Sequence, residues 1–196
     1  MYVINLNSFT FAIIYGDITL IKNYLENQNK YEYRILYENI DIEKFYFDNM
    51  YLQPIKGIMK GIFYNPIINQ NVTLVLGNGM GCWGTLCNHL SSNLMIKHIQ
   101  ITMNEENQNN LINQLIVREG KKTIRAVQMI LGDNDKMEFV QTGTPLWFEN
   151  IEYYKKHKIK DRINKNILLE YSKKIGIDLT DNYLFKTRQK SLYVEL

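Results

Sequence analysis

Residues 123–131 (TIRAVQMIL), 132–135 (GDND) and 136–143 (KMEFVQTG) decide the fold class. Two runs rich in β-branched and apolar residues flank a segment of Gly, Asn and Asp. Such residues reverse a chain because they tolerate left-handed backbone or hydrogen-bond to their own main chain. The stretch reads as an antiparallel hairpin. Upstream, residues 96–103 (IKHIQITM) read as a strand, with Ile96 and His98 on one side and Lys97, Ile99 and Ile101 on the other. Residues 71–76 (NVTLVL) and 57–64 read as two more. In residues 31–37, Tyr31, Tyr33, Ile35 and Tyr37 alternate with Glu32, Arg34 and Leu36, giving a strand with one apolar face, and the first 15 residues supply one or two strands.

Helical spacing appears in three places. Asp17 is placed to cap a helix carrying Ile18, Ile21 and Leu25, and residues 83–94 (WGTLCNHLSSNL) read as a second helix. Thr144-Pro145 reads as a helix start, with Trp147, Ile151 and Tyr154 on one face; a further helix over 162–175 carries Ile163, Ile167, Tyr171 and Ile175 and stops at Gly176. The run 104–110 (NEENQNN) is a loop or helix start that Leu111, Ile112, Leu115 and Ile116 continue. Residues 41–54 are ambiguous: Asp41 is placed to cap a helical turn and Pro54 to end it. Residues 191–196 (SLYVEL) are compatible with a last strand. Strands dominate the middle without regular βαβ alternation. The expected fold is α+β: a single domain over 1–196 with a largely antiparallel sheet and helices concentrated in the C-terminal third.

The 196 residues are 45% hydrophobic, with 11 Gly and 3 Pro, which excludes collagen and global disorder. Two cysteines do not make a secreted disulfide framework. The apolar start lacks a basic leader and a cleavage site, and no stretch reaches the roughly 18 uninterrupted apolar residues of a membrane span, so a cytoplasmic protein without a membrane partner is expected. The net charge of +3 is unevenly spread: residues 155–196 hold 11 basic and 5 acidic side chains, residues 1–154 hold 12 and 15.

The densest reactive cluster is residues 81–90 (GCWGTLCNHL), with Cys82, Cys87 and His89. It lacks the second ligand pair of structural zinc, with only His98 and His157 elsewhere, so no metal is expected. On a helix Cys87 and His89 point about 200° apart, so neither activates the other. Gly77, Gly79, Gly81 and Gly84 do not match a dinucleotide fingerprint, and no phosphate-loop Lys-Ser/Thr follows, so no cofactor is expected. Tyr46, Tyr51, Tyr153 and Tyr154 suit packing with one wet end as well as base stacking.

A domain with a good core and no chemical motif fits a binding protein. Asp133, Asp135, Glu138 and Glu149 are the residues expected to face a basic partner. Residues 142–179 (TGTPLWFENIEYYKKHKIKDRINKNILLEYSKKIGIDL), taken with 81–90, resemble the small divergent immunity proteins that accompany bacterial polymorphic or contact-dependent toxins. The likeness is one of size, composition and α+β pattern. It implies a cytoplasmic protein that binds and blocks one cognate toxin protein, with no catalytic residues and no small-molecule or nucleic-acid partner. Two alternatives stay open: an enzyme using Cys82 or Cys87 with a distant His, and a nucleic-acid binder acting through the basic C-terminal helices.

Overall fold

A computed structural model describes residues 8–28, 32–35, 39–51, 59–78, 84–105, 112–132 and 136–195. Among them are nine strands: β1 (Ser8–Ile14), β2 (Glu32–Ile35), β3 (Lys60–Tyr64), β4 (Thr73–Gly77), β5 (Lys97–Asn104), β6 (Asn113–Glu119), β7 (Lys122–Leu131), β8 (Met137–Thr142) and β9 (Leu192–Glu195). They form one sheet in the order β2-β9-β3-β4-β1-β5-β6-β7-β8. Every adjacent pair is antiparallel.

The sheet has two buried faces, which explains why its central strands are apolar in both phases. Phe9, Phe11 and Ile13 of β1 enter one core; Ala12 and Ile14 of the same strand enter the other. The first core is covered by Ile42 and Tyr46 of α2 (Ile42–Tyr46) and by Ile167, Leu168 and Tyr171 of α5 (Lys165–Lys174). The second is covered by Ile21 and Leu25 of α1 (Ile18–Glu26) and Leu86, Cys87 and Leu90 of α3 (Gly84–Leu94). Each large apolar side chain taken fully from water contributes roughly 1.5–3 kcal/mol before entropy is charged. Among the described residues, no helix is long and apolar enough to cross a membrane.

Local signals act as the sequence leads one to expect at several points. Asp17 accepts from Thr19 N at 2.6 Å and caps α1. The helix expected from residue 162 begins three residues later as α5, capped by Asn164, which accepts from Ile167 N at 3.1 Å; Gly176, with φ +85°, follows its end as expected. The hairpin of β7 and β8 pairs Met129 with Phe139 and Gln128 with Val140; its turn residues 133–135 lie outside the described residues.

Three expectations need correcting. The concentration of helices in the C-terminal third is only partly borne out: α5 and several short helical turns lie there, but α1, α2 and α3 all precede Met95. Leu115 and Ile116 do not continue a helix: β6 buries Leu115 and Val117 on one face while Ile116 and Arg118 are half-buried on the other, so period two wins. Thr144 caps nothing. The helix α4 (Ile151–Tyr154) begins six residues after Pro145, capped by Asn150, whose side chain accepts from Glu152 N at 3.1 Å. Trp147, Ile151 and Tyr154 therefore do not share a buried face.

Gly143 closes β8 with φ +78°, and a Cβ there would strike the carbonyl of Ile124. Gly143→Ala combines left-handed backbone with a backbone clash, so urea denaturation should show a loss of about 2 kcal/mol or more.

Candidate protein-docking surface

Arg125 occupies a slot on β7 in phase with Val127 and Met129, both buried. A guanidinium there is tolerated only if every donor is satisfied. Nε lies 3.0 Å from both carboxylate oxygens of Glu149, and Nη2 reaches Glu149 Oε2 at 2.7 Å and Gln141 Oε1 at 3.0 Å. Nη1 donates to the carbonyls of Gly143 at 2.9 Å and Thr142 at 3.2 Å. The carboxylate is equally occupied: it also accepts from Leu146 N at 2.8 Å and from the Tyr154 hydroxyl at 2.6 Å. The two side chains are 1% and 0% exposed. Burial and the neighbouring Glu149 carboxylate push the Tyr154 phenol well above its ordinary range, so it remains a donor.

This clamp folds residues 143–150 back onto the end of the sheet. Tyr171 of α5 adds a second tie, its hydroxyl accepting from Asn150 N at 3.1 Å. Phe148 is buried against Tyr171, with ring centroids 6.0 Å apart. The residue before it turns outward: Trp147 is 78% exposed, with its ring edge-on to Phe148. Ile151, four residues on at the start of α4, is 47% exposed. Residues 155–162 continue this end with five positive side chains against one carboxylate. Arg162 stacks over Phe139 of β8 at 5.5 Å, and Tyr153 bonds Glu170 at 2.8 Å. The result is a fixed apolar projection followed along the chain by a basic segment.

Of the four acidic residues expected to face a partner, two lie among the described residues. Glu149 is not a surface residue: its carboxylate is consumed by Arg125, Leu146 and Tyr154. Glu138 is exposed on β8. Asp133 and Asp135 lie outside the described residues, as does Cys82. Neither Arg125 nor Trp147 is marked as a binding residue by the sequence, where Trp147 reads only as part of a helix face. A charged residue falling in the buried phase of an alternating strand was the available signal for Arg125 and for a buried counter-charge.

The reactive groups are packed apart. Cys87 is fully buried, and burial pushes its thiol up to about 12, so it is protonated and a poor nucleophile at neutral pH. His89 is exposed on the other side of the same helix. His157 is exposed in the basic segment. Tyr46 is buried with its hydroxyl on the carbonyl of Gly77 at 3.3 Å, and so is unavailable for stacking on a base. Among the described residues, no three His, Cys, Asp or Glu side chains group to hold a metal. Comparison of the chain with protein families, characterised proteins and solved structures finds no match.

His98 on β5 is 1% exposed, and among the described residues neither ring nitrogen has a partner. Burial, helped by the positive charge of Arg118, pulls its pKa down to about 4.

Two outcomes follow for stability. Glu149→Ala leaves a buried guanidinium without its counter-charge, and chemical denaturation should register a loss of about 3–5 kcal/mol; the pair Arg125→Met with Glu149→Leu should lose much less. For His98, the folded state refuses a proton that the unfolded chain accepts below the ordinary value of 6.5. Its contribution is complete above that pH and is lost as pH falls towards about 4. Between about pH 7 and about pH 4.5, the native protein should lose about 2–3 kcal/mol more than His98→Leu does, read from denaturation midpoints.

Proposed function

We propose that this chain is a non-catalytic, cytoplasmic inhibitor that binds a cognate protein toxin, in the manner of the immunity proteins it resembles. One observation carries the reading: an almost fully exposed Trp147 held outward by a buried, fully satisfied Arg125–Glu149 clamp. An indole free in water gains nothing for the folded monomer. Fixed in one orientation, it loses little entropy on docking, and tryptophan anchors of this kind dominate binding energy at protein interfaces. The lysines of the basic segment favour a partner with an apolar pocket beside acidic side chains, through electrostatic steering and register. This reverses the partner charge expected from the acidic residues of the sequence. The burial of Cys87 and His98 counts against the enzymatic alternative.

The test is to mix the protein with the product of each candidate toxin gene found adjacent to its own and measure affinity calorimetrically. Nanomolar binding is expected. Trp147→Ala should weaken it roughly 30-fold or more. The melting temperature should hardly move, because the indole is 78% exposed. Tight binding that ignores Trp147→Ala, or a chain that neither binds nor protects cells from that toxin, would sink the reading.

A further inference from the structure

A second feature lies away from Trp147, where α3 meets the turn between β6 and β7. Thr85, Asn88, His89 and Ser92 fall at i, i+3, i+4 and i+7, so they form one stripe along α3, opposite the stripe that packs on the sheet. With Lys121 from the turn they line an open groove of about 360 Å³. Among the described residues, none of these five side chains has a hydrogen-bond partner. The lining holds no carboxylate, and its one full charge is positive.

The walls are held in fixed relation. Ser91, fully buried, donates its hydroxyl to the carbonyl of Ile96 at 2.6 Å, and it lies 3.1 Å from the carbonyl of Gly120, so one side chain bridges the end of α3 to the turn. Arg118 Nη2 donates to the carbonyl of Lys121 at 3.1 Å and Nη1 to Thr123 at 3.1 Å, fixing the turn from below. The backbone is strained at the junction. Gly120 has φ +55°, and Met95, which ends α3, has φ +52° although it carries a side chain. A non-glycine residue held left-handed costs about 1 kcal/mol or more, so the surrounding contacts enforce this geometry.

We propose that this groove binds a phosphate monoester of a small polyol. Phosphate offers three strong acceptor oxygens and a dianion, which match an ammonium, an imidazole and neighbouring hydroxyl and amide donors. A bare carboxylate would leave several of these donors unused. The remaining length of the α3 stripe, with Thr85 at its far end, suits sugar hydroxyls, for which Thr and Asn supply both donors and acceptors. The site is independent of the toxin-binding reading.

The experiment titrates the full chain with glucose 6-phosphate and, separately, with glucose, following heat and the imidazole proton resonances of His89. Saturable one-to-one binding of the phosphate ester, with no binding of glucose, is expected. Lys121→Ala removes a charge-assisted contact and should weaken binding roughly tenfold. Lys121 is exposed in a turn, so an unchanged melting temperature verifies the fold; Asn88→Ala with Ser92→Ala gives a second, uncharged perturbation that should also weaken binding. No saturation at millimolar concentration, equal binding of glucose, or affinity indifferent to both variants would overturn the assignment.

Discussion

The Arg125–Glu149 pair is the constraint on which one end of this molecule depends. A buried ion pair contributes little net stability relative to an apolar pair of the same shape, because the desolvation of two charges cancels most of their attraction. What it supplies is position. The guanidinium fork has five donors in fixed directions, and here they bind a carboxylate, an amide and two carbonyls from β8 and the turn that follows. No apolar contact would dictate the path of residues 143–150 so narrowly. The outward indole of Trp147, the start of α4 and the docking of Tyr171 on Asn150 all follow from that path.

The same constraint explains where reading the sequence succeeded and where it failed. The hairpin of β7 and β8 was legible because period two and the GDND turn agree, and the cap at Asp17 acts over only two residues. Thr144-Pro145 carried an equally good local signal for a helix start, but Glu149, five residues on, is drawn to an arginine 24 residues upstream. Tertiary chemistry overrode local propensity. β6 was missed because Leu111, Ile112, Leu115 and Ile116 fit helical spacing, whereas the deciding partners, β5 and β7, are not visible in a window of ten residues. Helices fall before Met95 as well as after it because both faces of the sheet need covering, a demand that spacing along the chain does not show. The exposure of Trp147 was illegible, since Thr144-Pro145 suggests a helix that would set Trp147 on one face with Ile151 and Tyr154, whereas α4 starts only at Ile151.

Electrostatic expectation shifted in the same way. Counting acidic residues pointed to a basic partner, but one of the four chosen carboxylates is internal and neutralised. The exposed charge near the apolar projection is instead lysine-rich. Burial also decides the standing of the reactive side chains. Cys87 and His98 sit on the same covered face of the sheet, each held in its uncharged form by the absence of water, and the helix that buries Cys87 turns His89 to the opposite side.

The position of β9 has a consequence for how the protein is made. Residues 192–195 do not extend the sheet at its margin; they fill an interior slot between β2 and β3. During synthesis β3 therefore emerges well over a hundred residues before its neighbour. For that interval the nascent chain exposes an unsatisfied row of main-chain donors and acceptors flanked by Phe63 and Ile62, and β2 has no neighbour to hold it. Closing the gap requires a contact of long sequence separation, which is slow. Protection of that open margin, by a chaperone or by transient pairing within the chain, becomes part of the route to the native state.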